Sequence, residues 1–175
     1  MTIQEAHDVV RVVPDFPKKG IQFRDISSIL ENQELFNFIL EEILVSIKDL
    51  KIDGVAGVES RGFLFGTHIA KKLNVPFYMI RKEGKLPLDT YQESYDLEYG
   101  SSVLELHKNA IWPNKNILIH DDLLATGGTV EASSKLILKT KAKIAGFSFV
   151  IDLEELKGKD KISTYSSNIF KVLTY

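Results

Sequence analysis

Cysteine is absent from the sequence, which excludes disulfides and thiolate metal sites and fits a cytoplasmic protein. No apolar run approaches the length that spans a membrane. Met1 to Val13 contains no apolar core preceded by basic residues, so we expect no secretory signal. The formal net charge is only −2, which gives no indication of a nucleic-acid or membrane surface. We therefore expect a cytoplasmic protein that binds neither nucleic acid nor membrane.

Internal repeats and low-complexity tracts are also lacking. The chain of 175 residues is 44% hydrophobic and 26% charged, which is ordinary for a soluble globular protein. That length is sufficient for a full hydrophobic core. We therefore treat residues 1–175 as a single domain.

Short apolar runs alternate with stretches of helical periodicity along most of the chain. The runs that predict strands are residues 55–58, 76–80, 103–107, 117–120, 144–153 and 168–174. Helices are predicted near residues 3–10, 33–50, 60–73 and 130–138. Ser60 is the expected cap of the third helix, and Asn74 its expected stop. This alternation predicts an α/β fold with a mainly parallel, twisted sheet flanked by helices.

Two segments are predicted as loops. Val12 to Gln22 contains two prolines and a glycine. Arg81 to Ser102 is polar and long, and compact domains seldom contain such a loop without a function. We therefore predict a lid at residues 81–102, parts of which can pair as a flexible hairpin.

The sequence ILIHDDLLATGGT carries the strongest functional signal. A short strand, Ile117–His120, is followed by Asp121 and Asp122, then by the small-residue loop Ala125–Thr129 and a helix from Val130. Ligands of open α/β sheets bind beyond the carboxyl ends of the strands. Because free amides at a helix start bind anions, the loop is expected to hold a phosphate.

The paired acids need a different partner from that phosphate. Sugar hydroxyls, which donate hydrogen bonds to carboxylates, are the natural choice, with a magnesium ion nearby as a second possibility. A phosphate next to a diol indicates a ribose 5-phosphate group.

A second strand-to-helix loop occurs at residues 58–62, where Ser60 and Arg61 suit a multiply charged anion such as pyrophosphate. Arg81, Lys82 and Lys85 lie on the predicted lid, where they can cover a leaving group. The alternative interpretations are a simple helix cap, a surface ion pair for Arg61 and a solvated face for the lysines.

Two further residues fit chemistry on a nitrogen heterocycle. Glu98 is placed to take or share a proton on a nitrogen base. Phe23 can stack on a flat ring, although an exposed hairpin charge and a core aromatic are the plain alternatives for these two positions. His120 is expected to be a strand-end histidine with satisfied hydrogen bonds rather than a catalyst.

The sequence from Ile117 to Thr129 resembles the phosphoribosyl-pyrophosphate motif of type I phosphoribosyltransferases. Four further segments resemble the adenine-specific members of that family: VVPDFPKKGIQFRDIS (12–27), ESRGFLFG (59–66), RKEGKLP (81–87) and YDLEYG (95–100). The resemblance extends from about Val12 to Tyr175. It implies a type I phosphoribosyltransferase-like fold, with a small N-terminal hood over the base at residues 1–30 and a flexible lid loop at 81–102.

The resemblance implies purine salvage, in which phosphoribosyl pyrophosphate and adenine give AMP and pyrophosphate. The residues that it places on phosphoribosyl pyrophosphate or AMP are Ser60, Arg61, Lys85, Tyr99, Asp121, Asp122, Ala125, Thr126, Gly127, Gly128 and Thr129. Phe23, Arg24 and Leu123 would bind adenine, whose polar edge would be read by main-chain groups around Gln22 and Arg24. Glu98, Arg61 and Lys85 would be catalytic.

The resemblance also implies Mg²⁺ and a homodimer. The ion would be carried by substrate and water, with no direct ligand from the protein. Two positions depart from the family pattern, since His120 replaces an apolar strand residue and Gln22 a small apolar one. Neither departure removes a predicted site residue.

Two other functions remain open from the sequence. One is a phosphoribosyltransferase for another purine or a pyrimidine, which the segments at Phe23 and Glu98 disfavour. The other is a non-catalytic regulator that senses phosphoribosyl pyrophosphate, for which we would expect a DNA-binding extension or a lost leaving-group site. A P-loop kinase is excluded because the sequence has no GxxxxGK[ST] string.

Overall fold

The structure is a computed structural model that describes residues 1–16, 19–20, 22–96 and 101–175. Its helices are α1 (Ile3–Val9), α2 (Ser27–Leu30), α3 (Gln33–Ile47), α4 (Gly62–Leu73), α5 (Gly128–Lys139) and α6 (Gly158–Ile162), with a 3₁₀ turn at Glu154–Leu156. Its strands are β1 (Arg11–Pro14), β2 (Gln22–Asp25), β3 (Gly54–Val58), β4 (Phe77–Lys82), β5 (Thr90–Asp96), β6 (Ser101–His107), β7 (Asn116–Leu124), β8 (Lys143–Asp152) and β9 (Ile169–Thr174).

Seven of the described strands form one sheet in the order β5-β6-β4-β3-β7-β8-β9. Strand β3 pairs parallel with β4 and β7, and β8 pairs parallel with β7 and β9. Only the pairings of β6, with β4 and β5, are antiparallel in the described sheet. The predicted α/β fold with a mainly parallel sheet is therefore confirmed. Because β3 and β7 are parallel neighbours, their carboxyl ends lie side by side.

Buried apolar side chains cover both faces of the sheet. One face packs against α3, whose buried residues are Leu35, Phe36, Ile39, Leu40, Ile43 and Ile47, as the helical spacing predicted. The other face packs against α5, chiefly through Val130, Leu136 and Ile137. Within the ranges that the structure describes, no helix is both long enough and apolar enough to cross a membrane.

The two ends of α4 test the predicted cap and stop. Asn74 ends the helix in the left-handed conformation, with a φ of 54°, so the predicted stop is confirmed. The prediction that Ser60 caps the helix is wrong. Arg61 occupies the N-cap position in helical backbone conformation and makes no side-chain cap bond, so Ser60 lies one residue outside the helix.

Parts of both predicted loops are strands in the structure. Val12 to Gln22 was predicted as loop because of its prolines and glycine, but β1 and β2 pair as an antiparallel ribbon with Pro14 at its end. In the lid segment, Arg81 and Lys82 belong to β4, and β5 pairs with β6 over seven residue pairs. That pairing confirms the hairpin. The lid function stays a prediction, and residues 97–100 lie outside the described residues.

Strand β7 is longer than its apolar run indicated. It continues from the predicted end at His120 to Leu124, because β8 pairs with it as far as Asp152. Asp121 and Asp122 therefore lie within the strand and are held by the sheet rather than by a loop.

Candidate active site

A pocket of about 280 Å³ opens at the edge of the sheet where β3 and β7 end. It is lined by Glu59, Ser60, Arg61, Lys82, Tyr95, Asp121, Asp122, Leu123, Leu124, Ala125, Thr126, Gly127, Gly128, Thr129 and Val130. The two strand-to-helix loops that the sequence singled out therefore share one pocket. Most of the predicted phosphoribosyl pyrophosphate residues lie in its wall.

The loop of residues 125–129 turns at Gly127 and leads directly into α5. Gly127 has a φ of +80°, and a Cβ there would lie 2.8 Å from the carbonyl oxygen of Gly158. Glycine is thus needed both for the backbone conformation and for space. The main-chain amides at the start of α5 lie beside the pocket, an arrangement suited to a phosphate.

Asp121 and Asp122 lie side by side in the pocket wall. Asp122 is 3% exposed, whereas Asp121 is half-buried, and the amide of Asp122 donates to Oδ1 of Asp121 at 2.9 Å. Nε of Arg61 lies 3.0 Å from Oδ2 of Asp122, close enough for an ion pair. No donor in the described part of the chain is aligned to hydrogen-bond that oxygen, so the pair is held by charge.

Burial raises the pKa values of both members of this acidic pair. Burial and the neighbouring charge of Asp122 raise the pKa of Asp121 well above its usual range. Burial also raises the pKa of Asp122, against the lowering effect of Arg61. In these surroundings, the ionised form of the two carboxylates is favoured by a ligand that donates hydroxyl hydrogen bonds or carries positive charge. Their environment therefore suits a sugar diol and opposes a second anion at the same point.

Close packing brings the two loops together. A Cβ on Gly62, the first residue of α4, would lie 2.9 Å from the carbonyl oxygen of His120 and 3.0 Å from Oδ1 of Asp121. Only glycine allows α4 to begin this close to β7. The approach places Arg61 beside the acidic pair.

The cations predicted to hold pyrophosphate divide between two positions. Arg61 lines the pocket itself. The Lys85 ammonium donates a hydrogen bond to Oε1 of Glu59, which is also in the pocket wall. Lys82 lines the pocket from the end of β4. Glu59 is thus a pocket residue that sequence reasoning missed. Its position next to Ser60, at the end of a predicted strand, was the available signal.

The residues predicted to bind adenine lie in different surroundings. Leu123 lines the pocket, and the ring centroid of Phe23 lies 5.6 Å from the Arg61 guanidinium carbon. The side chain of Arg24 stacks on Tyr175, 3.9 Å from that ring centroid. Arg24, like Gln22, lines a separate cavity of about 420 Å³ rather than the pocket at the sheet edge, and the reading of the base by main-chain groups at these positions stays a prediction.

Glu98 and Tyr99 lie outside the described residues, so their predicted roles stay predictions. Tyr95, in the same family-like segment, lines the pocket from β5. Tyr95 is thus an additional pocket residue that the sequence pattern did not predict.

His120 is fully buried behind the acidic pair. Its Nδ1 lies 2.8 Å from Oγ of Ser148, its register partner on β8. Its Nε2 has no hydrogen-bond partner among the described residues, so the expectation of a fully satisfied histidine is wrong for that nitrogen. His120 occupies a strand position typical of an apolar residue, and no second polar group in the described part of the chain bonds to its ring. Burial lowers the pKa of His120 from 6.5 to about 3, against the opposing bond to Ser148.

The low pKa of His120 predicts acid-sensitive stability. The neutral form is favoured in the fold, so this contribution is complete above pH 6.5 and is lost as the pH falls toward 3. We expect the free energy of unfolding to drop by about 2 kcal/mol between pH 7 and pH 5 from this group. His120→Asn should remove most of that drop, whereas the exposed His68 offers a control, because His68→Asn should retain it. Urea titrations at both pH values measure the difference, and an unchanged drop in His120→Asn would contradict the assignment.

No group of three or more metal-ligating side chains of the histidine, cysteine or carboxylate type occurs in the described ranges. Asp121 lines the pocket, and Asp122 is the acid next to it. Such a donor set is compatible with a magnesium ion that is held chiefly by a phosphorylated substrate and water. The fold and pocket together define an α/β protein whose pocket, at the carboxyl ends of neighbouring parallel strands, suits a phosphorylated ligand.

Comparison with known proteins agrees with that class. Residues 25–173 match the family model described as the phosphoribosyl transferase domain. An adenine phosphoribosyltransferase of Campylobacter jejuni is 49% identical over 168 residues, covering 95% of this chain and 92% of that protein. The crystal structure of the adenine phosphoribosyltransferase from Thermoanaerobacter pseudethanolicus superimposes with a TM-score of 0.95 at 40% identity, covering 99% of this chain and 100% of that one.

A more distant structure carries ligands. The adenine phosphoribosyltransferase of Trypanosoma brucei, solved in complex with AMP, pyrophosphate and ribose 5-phosphate, has a TM-score of 0.86 at 29% identity, covering 98% of this chain and 78% of that one. The chain therefore belongs to the phosphoribosyltransferase family, and within it to the adenine phosphoribosyltransferases.

Proposed function

We propose that the protein salvages adenine by transferring the 5-phosphoribosyl group of phosphoribosyl pyrophosphate to it, which yields AMP and pyrophosphate. One observation carries the proposal. The acidic pair Asp121 and Asp122, the phosphate-type loop 125–129 and Arg61 line a single pocket. That set matches the diol, the 5-phosphate and the leaving group of one substrate. The relatives that share the sequence and the fold are named for the same reaction.

The pocket would orient phosphoribosyl pyrophosphate along its length. Main-chain amides and the hydroxyls of Thr126 and Thr129 hold the 5-phosphate. Asp121 and Asp122 accept hydrogen bonds from the ribose hydroxyls and stabilise the positive charge that develops on the ribose ring. The bond from ribose C1 to pyrophosphate breaks, and a bond to the imidazole nitrogen of adenine forms.

The leaving group and the base need separate partners. Ser60, Arg61 and Lys85 bind pyrophosphate, whose charge increases as it departs. Phe23 and Leu123 contact the faces of adenine, and Glu98 takes or shares the proton of its imidazole nitrogen, with Tyr99 alongside. Holding both reactants in line supplies much of the remaining rate acceleration.

Magnesium completes the proposal as a cofactor. Carried by the substrate and by water, with Asp121 near it but no direct protein ligand, the ion would neutralise charge on the pyrophosphate. A homodimer, implied by the family resemblance, and a cytoplasmic location stay predictions. Sedimentation and cell fractionation test them.

The reaction makes a direct prediction for the purified protein. We expect pyrophosphate release only when adenine, phosphoribosyl pyrophosphate and Mg²⁺ are all present, because the base attacks a substrate that carries the ion. A coupled pyrophosphate assay with each component omitted in turn measures this requirement. Guanine, hypoxanthine and uracil serve as competitors for adenine. No turnover with the complete mixture, or faster turnover with another base, would contradict the proposal.

A further inference from the structure

The side chain of Glu59 is buried and anchors the cationic segment of residues 81–85 beside the pocket. Glu59 follows β3 directly, and its side chain is only 6% exposed. Its Oε2 accepts hydrogen bonds from the Lys82 amide at 3.0 Å and from Arg81 Nε at 3.2 Å. Its Oε1 accepts a hydrogen bond from the Lys85 ammonium. Glu59 therefore contacts each cationic residue of this segment, through main chain or side chain.

Hydrogen bonds within residues 81–85 also hold this segment in place. The amide of Lys85 donates to the carbonyl oxygen of Lys82 at 3.3 Å, which closes the turn. Nη1 of Arg81 donates to the carbonyl oxygen of Lys85 at 3.2 Å. Arg81 thus bridges Glu59 and the main chain of Lys85. Both the backbone and the ammonium of Lys85 are fixed relative to the pocket wall.

The charges of this cluster leave it attractive to an anion. Burial alone would raise the pKa of Glu59, but the bonds from Lys85, the Lys82 amide and Arg81 lower it to about 2. Glu59 is therefore ionised at neutral pH. Its single negative charge is smaller than the combined positive charge of the Arg81 and Lys85 side chains that it contacts. An ammonium has three donors, and the Lys85 side chain is 47% exposed, so Lys85 can hold Glu59 and an anion together.

We propose that Glu59 is a positioning residue for the leaving group, which holds the Lys85 ammonium at the wall of the pocket where pyrophosphate binds. The inference rests on the function proposed above. A free lysine loses side-chain freedom when it binds an anion, and a lysine that is already held loses less. Glu59 acts through Lys85 and does not itself touch the substrate.

Glu59→Gln tests the proposal because it keeps the size of the side chain and one acceptor but removes the charge that holds Lys85. We expect the dissociation constant of magnesium pyrophosphate, measured by calorimetry, to rise roughly fivefold, as for the loss of one preorganised side chain. The dissociation constant of AMP should stay unchanged, because its phosphate binds at the loop of residues 125–129. A general loss of stability would instead weaken the binding of both magnesium pyrophosphate and AMP.

Lys85→Met gives the second arm of the test. It should weaken pyrophosphate binding at least as much as Glu59→Gln does. The double variant should be no weaker than Lys85→Met alone, since Glu59 acts only through Lys85. Effects that multiply in the double variant would overturn the proposal. Unchanged or tighter pyrophosphate binding in Glu59→Gln would also overturn it.

Glu105→Gln is the matched control. Glu105 is 4% exposed and packs against the same turn, but it accepts from the Gly84 amide at 3.1 Å and the Gln92 side chain at 2.8 Å. Because these partners are amides rather than the Lys85 ammonium, pyrophosphate binding should match the wild type. Equal weakening in Glu105→Gln would assign the effect to the turn as a whole and overturn the proposal.

Two safeguards keep the experiment decisive. If thermal melts show that Glu59→Gln is unfolded, Glu59→Asp keeps the charge but withdraws it by one methylene, and the same selective loss of pyrophosphate binding is expected. Calorimetry needs no turnover. A chain that binds pyrophosphate through Lys85 and Glu59 but fails to use adenine would contradict the proposed function alone.

Discussion

Asp121→Asn is expected to lower kcat/KM for phosphoribosyl pyrophosphate by roughly 100-fold, the usual scale for removing one group that stabilises transition-state charge. The amide keeps the shape of the carboxylate and the Oδ1 acceptor for the Asp122 amide. It loses the negative charge that, in the proposed function, stabilises the positive charge developing on the ribose ring. Initial rates at varied phosphoribosyl pyrophosphate with saturating adenine measure the change.

The same variant should become more stable, which separates a chemical role from a structural one. The fold raises the pKa of Asp121, so the ionised carboxylate opposes folding at neutral pH, above the unfolded value. Asparagine mimics the neutral form, and we expect a higher Tm than that of the wild type at pH 7. Asp49→Asn, at an exposed position after α3, should change neither property. A lower Tm together with lost activity would show that Asp121 is a structural residue.

Local patterns were enough to predict the frame of this site. The order of strand, acids, small-residue loop and helix is contiguous in sequence, so the segment from Ile117 to Val130 could be interpreted without knowing its neighbours. Parallel pairing of β3 and β7 then places residues 58–62 beside it. Alternating strands and helices favour that pairing in general. The location of the pocket followed from these two facts.

Contacts between distant segments could not be predicted in this way. Glu59 meets Lys85 because β4 pairs with β3 in the sheet, and Arg61 meets Asp122 because α4 begins against β7. A carboxylate next to Ser60 has no local pattern that reveals its partner. The sequence therefore predicted the cations of the site but missed the acid that orders one of them.

Pairing also overrode local propensity at several elements. Proline and glycine favour a loop at residues 12–22, yet a two-stranded ribbon can end at Pro14 without losing a ladder bond there. Strand β7 passes its apolar run because β8 continues beside it to Asp152. The buried Nε2 of His120 has no partner among the described residues, and the neighbour of this ring on α4 is the apolar side chain of Phe65, with the ring centroids 6.4 Å apart. Each of these differences arises from a neighbour remote in sequence.

Gly127→Ala is expected to weaken both the fold and the phosphate site. Alanine at a φ of +80° is strained by about 1–2 kcal/mol. Its Cβ would also approach the Gly158 carbonyl oxygen to 2.8 Å, and a backbone atom cannot rotate away. The loop must therefore shift at the position where, in the proposed function, its amides hold the 5-phosphate. Because a displacement of about 1 Å commonly costs about 100-fold in rate, we expect a decrease of that order in kcat/KM for phosphoribosyl pyrophosphate.

Gly84→Ala separates backbone strain from the clash in the stability measurement. Gly84 has a φ of +76°, but no described atom lies within 4 Å of the Cβ that would be added. Both variants place an alanine in the left-handed conformation, so both should be destabilised by the same backbone strain. The additional decrease in the free energy of unfolding for Gly127→Ala over Gly84→Ala then measures the clash with Gly158. AMP binding supplies the functional readout, since the nucleotide carries the same 5-phosphate. If Gly127→Ala bound AMP as tightly as the wild type, the 5-phosphate would have to lie elsewhere than on the amides at the start of α5.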